Sequence, residues 1–398
     1  YRQVALRPAW QQKSRTFRVL GGGFGMQNPT TIRHFLDVAA FGRVEEYLAP
    51  LVEAMLERRV YAHPSVMHLP DITPVQVAQA ETLYPHRLRV GTMDFQEEFT
   101  GCPLKCKFCH YTFARKHQVA PGQDEHAYVQ TTLNKAGGEV TWDQVMTAPV
   151  KMQGTVSSAW DGTSERLRMI YGKRISNQDI LNGINHAGSF DTGKATVLNV
   201  YNIGNFPGET VQDWNELTIL LSQARPKNSV TLMLRTTPFQ PSLATPMQWE
   251  PIMLFPSMRK DEATIAKTAT FHAFHAYTNE GPYSHFCRVV VERATPQTDD
   301  LFQALCFAPK LQSGRGEERL ARVKAHFDLT PYLREYSLDE IPPAWFLQGW
   351  ASTAQLATIA RKMRAHIQRT ADEPGWLPGG ATLYDATRLR EKRQRISA

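Results

Sequence analysis

Three apolar runs of strand character, VKMQGTVS, ATVLNVYNI and SVTLMLRTT, alternate along the chain with segments that open on helix-capping pairs. Thr141 with Gln144, Ser176 with Asp179 and Thr210 with Asp213 each set a hydroxyl three residues before an acid or amide. That spacing satisfies the orphan N–H groups at a helix start. Regular alternation leaves few packing solutions, because each strand returns parallel to its predecessor across the intervening helix. The expected fold class is α/β, with a parallel sheet whose natural closure is a full or partial βα barrel. Such barrels carry their chemistry at the C-terminal ends of the strands. With 398 residues and 42% hydrophobic content, the chain is long enough for one large domain with extensions, or for two domains.

The segment EEFTGCPLKCKFCHYTFARKH holds Cys102, Cys106 and Cys109 in a C-x3-C-x2-C spacing, with Phe108 just before the last thiol. Three thiolates in so short a run suit a soft metal centre, whereas a four-iron cluster normally takes four cysteine ligands. One iron would stay open, and an open metal position distinguishes a catalytic site from a closed structural one. The alternative is a structural zinc knuckle built from the three cysteines and His110, in which the adjacency of Cys109 and His110 strains a tetrahedral arrangement. Cys287 and Cys306 lie far away in sequence, so no disulfide framework is expected and a reducing compartment is the better reading. Cys287, in HFCRVVVER, reads as a small buried hydrophobe, with a hydrogen-atom donor as the alternative.

The cysteine spacing and Phe108 resemble the signature of the radical S-adenosylmethionine (SAM) superfamily. The resemblance implies a 4Fe-4S cluster on Cys102, Cys106 and Cys109 and SAM chelating the fourth iron. Further runs carry it. Ala136, Gly137, Gly138 and Glu139 resemble the family's G-G-E run, which meets the amino group of SAM. Residues 157–181, SSAWDGTSERLRMIYGKRISNQDIL, resemble the A-P-E-A-G-S-E-R-L-R and N-K-x-I-S pattern of the branch with cobalamin-binding-type amino domains. On that match Ser157 opens the run and Asp161 takes the position of the glutamate that binds the ribose hydroxyls. A carboxylate can accept both bonds of a vicinal diol. Ser164, Glu165, Arg166 and Arg168 also match, Arg168 being implied for the SAM carboxylate. Asp161 is one methylene short of the family residue, and Gly172 replaces an asparagine before Lys173. The plain alternative for this run is a surface helix with charge pairs.

NVYNIGNFPGETVQDW resembles G-x-I-x-G-x-P-G-E-T, with Ile203 under the adenine and Asn202 departing from an apolar residue. Glu209 reads equally as a first-turn acid. RTTPFQPSLATPMQWEPI resembles F-x-P-x-x-x-T-P-x-Q-W, making Phe239 and Trp249 either walls of the site or core. The implied SAM set is therefore Phe108, Gly138, Glu139, Ser157, Asp161, Arg168, Ile203 and Phe239.

Residues 17–58 read as a short strand, a turn rich in glycine and a helical stretch ending at Arg58 and Arg59, and they resemble the end of a cobalamin-binding-type Rossmann domain. A whole domain of that type needs on the order of 100 residues, and no D-x-H-x-x-G run occurs. Either the domain is reduced or its beginning lies outside this sequence. The expected division is a reduced cobalamin-binding-like α/β region at 1–75, a partial (β/α)6-type radical SAM barrel at 90–290, and a mainly helical extension at 291–398. Within the extension an amphipathic helix is expected from just after Pro343.

Net charge is +7, of which the last eleven residues, RLREKRQRISA, carry +4. A basic tail is a solvated terminus or a nucleic-acid contact. No signal-peptide pattern opens the sequence and no apolar stretch approaches the ~18 residues of a membrane span; the expectation is a soluble cytoplasmic protein. The resemblance implies a radical enzyme fed by an electron donor such as flavodoxin or ferredoxin. Its substrate is expected to be a nucleoside or amino-acid-bearing group on DNA or RNA. The alternatives are a cobalamin-assisted methyltransferase or biosynthetic enzyme on a small molecule, and a non-catalytic metal-binding module on nucleic acid.

Overall fold

The structure, a computed structural model, describes residues 18–23, 27–79, 88–90, 93–95, 99–119, 155–189, 196–227, 229–252, 273–278, 281–296, 299–307, 311, 313–342 and 345–370. The fold is mixed α/β. By contact the chain divides into two compact units, each assembled from three segments. Residues 1–124, 240–252 and 282–361 form the first, and 125–239, 253–281 and 362–398 the second. Both units are discontinuous in sequence.

The first unit begins with β1 (Leu20–Gly23), β2 (Val38–Phe41) and β3 (Val66–His68), β1 parallel and β3 antiparallel to β2. Gly21, Gly22 and Gly23 are strand residues paired with Ala39, Ala40 and Phe41, not the expected turn. β2 also falls within the stretch read as helical. Its four residues are buried on both faces: Ala39 and Phe41 pack with Met67, Val75 and Val77, while Val38 and Ala40 pack with Tyr47, Leu51 and Val66. A strand covered on both sides shows no alternation for a sequence to betray. The helix, α1, is confined to Leu48–Leu56.

Next come β4 (Val75–Gln76), the antiparallel pair β5 (Leu88–Val90) and β6 (Met93–Phe95), and a second antiparallel pair, β7 (Phe99–Thr100) and β8 (Gln118–Val119). β7 and β8 bracket the cysteine run and α2 (His110–Ala114).

The second unit is built on β9 (Thr155–Ala159), β10 (Thr196–Gly204), β11 (Val230–Pro238) and β12 (Ala273–Thr278), all parallel and adjacent in chain order. α3 (Glu165–Ile170) and α4 (Asn177–Ala187) connect β9 to β10, and α5 (Val211–Gln223) connects β10 to β11. Ser176 with Asp179 and Thr210 with Asp213 form the expected capping boxes. One sheet face supplies Val156, Leu198, Val200, Val230, Leu232 and Leu234 to a core closed by Ile180, Leu181, Ile184, Trp214, Leu217 and Leu221. Each such side chain contributes roughly 1.5–3 kcal/mol when fully buried. Among the described residues the sheet is open.

The chain then supplies α6 (Pro282–Arg293), α7 (Asp299–Phe307), α8 (Gly316–His326), α9 (Thr330–Leu333), β13 (Leu347–Gln348) and α10 (Thr353–Thr370). The helix expected from just after Pro343 thus starts ten residues after it, at Thr353. Phe346 and Leu347 are instead buried with Ala39 and Phe41, where β13 pairs parallel with β4. Among the described residues no helix is long and apolar enough to cross a membrane.

Candidate functional site

The cysteine loop is closed at its base by β7 and β8. Gly101 sits at φ +67°, and a Cβ there would lie 2.6 Å from the Lys116 carbonyl oxygen, so backbone crosses backbone at the point where the loop begins. Lys105 also adopts a positive φ, +56°, and the chain then turns tightly, Cys109 N–H donating to the Cys106 carbonyl at 3.1 Å. Cys106 is buried and Cys102 and Cys109 are half-buried; all five cysteines are free thiols.

The sulfurs are supplied with donors. Leu104 N–H lies 3.5 Å from Cys102 Sγ. Cys109 heads α2, its carbonyl accepting from Thr112 N–H at 3.2 Å, so that its sulfur lies beside the amides of the first turn. Burial pushes the Cys109 thiol pKa up, opposed by those amides, with the nearby Cys102 raising it further. A coordinated metal deprotonates such a thiol outright, and N–H bonds to sulfur tune iron–sulfur centres. The donor set therefore fits a thiolate-bound cluster. Among the described residues no three His, Cys, Asp or Glu side chains are grouped to hold a single metal ion.

His110 ties the loop to the 240–252 segment of its own unit. Its Nδ1 is 2.7 Å from the Leu243 carbonyl, and burial lowers its pKa, so the neutral ring with Nδ1–H donating satisfies the contact. Gln79 adds two more ties, donating to the Ala114 carbonyl at 2.8 Å and accepting from Lys116 N–H at 2.7 Å. Phe108 is half-buried.

In the second unit, the implied nucleoside residues gather at the C-terminal ends of β9 and β10. Asp161 lies two residues past β9 at φ +50°, and its Oδ2 accepts from Lys173 Nζ at 2.8 Å. Gly162 N–H donates to Asn202 Oδ1 at 2.8 Å. Asn202, the residue that departs from the apolar pattern, therefore pins the turn that presents Asp161. Gly172, the other departure, has φ +81° just after α3, a conformation that glycine adopts without penalty, and it lets the chain deliver Lys173 to Asp161. Ile203 is half-buried near the end of β10, in register with Thr237.

Arg168 is fully buried, and each of its nitrogens has a partner. Nε donates to the Ile175 carbonyl at 2.8 Å, Nη1 to the Gly162 carbonyl at 3.0 Å, and Nη2 to Asn177 Oδ1. Burial pulls its pKa down to about 10, against the support of Glu216, Glu165 and Asp179. The guanidinium faces inward as a bracket between the β9 turn and the start of α4. The rest of the run braces the same region. Ser164 caps α3 and donates to Asp213 Oδ1, Arg166 Nη2 pairs with Asp213 Oδ2 at 2.6 Å, and Glu216 Oε1 accepts from Glu165 N–H and from Asn177. This is an interior scaffold, not the surface helix weighed as its alternative.

Ser157 is buried on β9, its Oγ accepting from Asn199 Nδ2 at 3.1 Å. Phe239 is buried too, its ring 5.5 Å from Phe206, which stacks on Tyr171 at 4.2 Å. Trp249, in the first unit, is core with Phe113, Tyr336 and Leu356. Cys287 is half-buried. Gly138, Glu139, the Thr141–Gln144 cap and the basic tail lie outside the described residues. Sequence reasoning missed the parts played by Lys173 and Asn202; the one signal was that positions 172 and 202 departed from the pattern. No protein-family model and no curated protein matches the chain.

Proposed function

We propose that the chain is a radical SAM enzyme. The observation that carries the reading is the cysteine loop: three free thiols in the C-x3-C-x2-C spacing, with Leu104 N–H beside Cys102 and Cys109 at the head of α2. Cys102, Cys106 and Cys109 would hold a 4Fe-4S cluster. Asp161 would take the ribose hydroxyls, Ile203 would lie against adenine, and Phe108 would flank the cluster. When bound, the two cofactors supply one-electron reductive cleavage of SAM to methionine and a 5′-deoxyadenosyl radical, which takes a hydrogen atom from the substrate.

The chain's own residues do the positioning. The Leu104 amide and the N-terminus of α2 favour thiolate charge, and His110 and Gln79 fix the loop to its own unit. Lys173 and Asn202 orient the Asp161 turn. The order of β9 to β12, each strand beside its predecessor, supports a partial barrel: a doubly wound sheet reverses direction at a switch point. A net charge of +7 favours a polyanion-borne nucleoside as substrate. The test is anaerobic reconstitution with iron and sulfide, then dithionite and SAM. 5′-Deoxyadenosine should form with the wild-type chain and not with Cys106→Ala; equal yields from both would end the proposal.

A further inference from the structure

The last described helix, α10, has two unlike faces. Leu356, Ala360, Met363 and Thr370 are buried along one stripe. Thr358, Arg361, Lys362, Ala365, Gln368 and Arg369 are exposed on the opposite side. At 3.6 residues per turn the three cations among them share an arc of roughly 100°. A solvated helix face ordinarily mixes both signs, acids four residues from bases. This one cannot, because the sequence between Glu340 and Asp372 contains neither Asp nor Glu. The face therefore presents a field of a single sign, which is the footprint of a polyanion partner.

The helix is also fastened to the strand end that the proposed function uses. A Cβ placed on Gly208, in the turn that follows β10, would lie 2.3 Å from Ile367 Cγ2, so that turn presses directly on α10. Arg166 completes the join. Its Nη1 donates to Thr370 Oγ1 at 3.3 Å and its Nη2 to the Gly208 carbonyl at 2.9 Å. Gly208, Arg166, Ile367 and Thr370 all belong to the second unit. The C-terminal half of α10 is thereby held beside the end of β10, with its basic face outward.

We infer that the exposed face of α10 docks the phosphate backbone of double-stranded DNA. The inference rests on the proposed function, which gives the reaction to that end of the sheet and a polyanion-borne nucleoside to the substrate. Arg361 and Arg369 stand eight residues apart, about 12 Å along the helix axis. That matches the width of the B-form major groove, so the two side chains meet phosphates on its opposite rims. An A-form RNA duplex offers a major groove too narrow for this. Single strands are held on aromatic platforms, and the six exposed residues include no aromatic. A membrane surface would take up the apolar face of an amphipathic helix, which in α10 is buried.

The test needs neither cluster nor turnover, so it can fail separately from the radical reading. Binding of the full-length chain to a fluorescein-labelled DNA duplex is followed by anisotropy between about 0.05 and 0.2 M salt. Each phosphate neutralised contributes about 0.9 to the slope of log Kd against log salt. The combined variant Arg361→Gln, Lys362→Gln and Arg369→Gln should therefore flatten that slope by about 2.7. A control carrying Arg225→Gln, Lys227→Gln and Lys324→Gln removes the same charge from exposed positions elsewhere and should keep the wild-type slope. Equal losses in the two variants reduce the binding to net charge and overturn the surface, as does an unaltered slope in the α10 variant. Tighter binding of an RNA duplex, of single-stranded DNA or of phosphatidylserine vesicles than of the DNA duplex overturns the assignment to DNA. Binding that depends on α10, in a protein that never yields 5′-deoxyadenosine, keeps the surface and removes the radical reading. 5′-Deoxyadenosine from a chain without salt-dependent affinity for DNA does the reverse.

Discussion

Replacing Arg168 with methionine separates two roles that one arginine can have beside a bound nucleoside. In the structure its guanidinium is enclosed and donates to the Gly162 and Ile175 carbonyls and to Asn177 Oδ1. Methionine fills much of the volume and supplies no donor. Three buried acceptors then lose their partner, at about 1–3 kcal/mol each. Part is returned because a charge no longer has to be desolvated, and relaxation of Asn177 recovers more. The net loss expected is about 3–5 kcal/mol, the range for removing one member of a buried charged network. Chemical denaturation in urea reads this as a lowered midpoint for the transition that reports the second unit. Arg168→Lys should recover less than half, since an ammonium cannot reach three acceptors spread around a planar fork. The reasoning is refuted if Arg168→Met unfolds within about 1 kcal/mol of wild type while SAM affinity collapses, because that is how a ligand-facing arginine behaves.

Other perturbations follow from the same contacts. Gly101→Ala forces a side chain into a left-handed conformation, at about 1–2 kcal/mol, and against the Lys116 carbonyl; iron retained after reconstitution should fall, and unchanged iron content would contradict the role given to that crossing. Burial raises the Glu209 carboxyl from 4.5 to about 8 despite donors from Thr163 and Phe206. The folded state therefore keeps a proton that the unfolded chain has released, and stability is lost as pH rises from 4.5 to 8. Glu209→Gln should flatten that slope in thermal unfolding, and an unaltered slope would assign the pH dependence to another group. Asn202→Leu, which strips the acceptor from Gly162 N–H, should weaken SAM binding about tenfold, the worth of roughly one hydrogen bond. Equal affinity would show that the Asp161 turn holds itself.

The elements that rest on neighbours in sequence were legible. Ser176 with Asp179 and Thr210 with Asp213 cap their helices because the bonds are made within four residues, and the runs around Leu198 and Leu232 are strands because their apolar side chains recur at alternate positions. What escaped depends on distant partners. β2 shows no alternation because both its faces are buried, and residues 347–348 form a strand instead of a helical turn because β4 pairs with them. At the site, the thiol spacing was plain. Arg168 could not be known to turn inward without Gly162, Ile175 and Asn177 around it, and the pairing of Lys173 with Asp161 depends on Gly172 ending α3.

The central claim is that the cysteine loop carries a four-iron cluster with one iron left for SAM. Electron paramagnetic resonance of the reconstituted, dithionite-reduced protein, recorded with and without SAM and alongside iron analysis, tests it most directly. The account predicts about four irons per chain and a reduced-cluster signal that changes when SAM is added. A protein that binds zinc in place of iron, or whose cluster signal is indifferent to SAM, would contradict it.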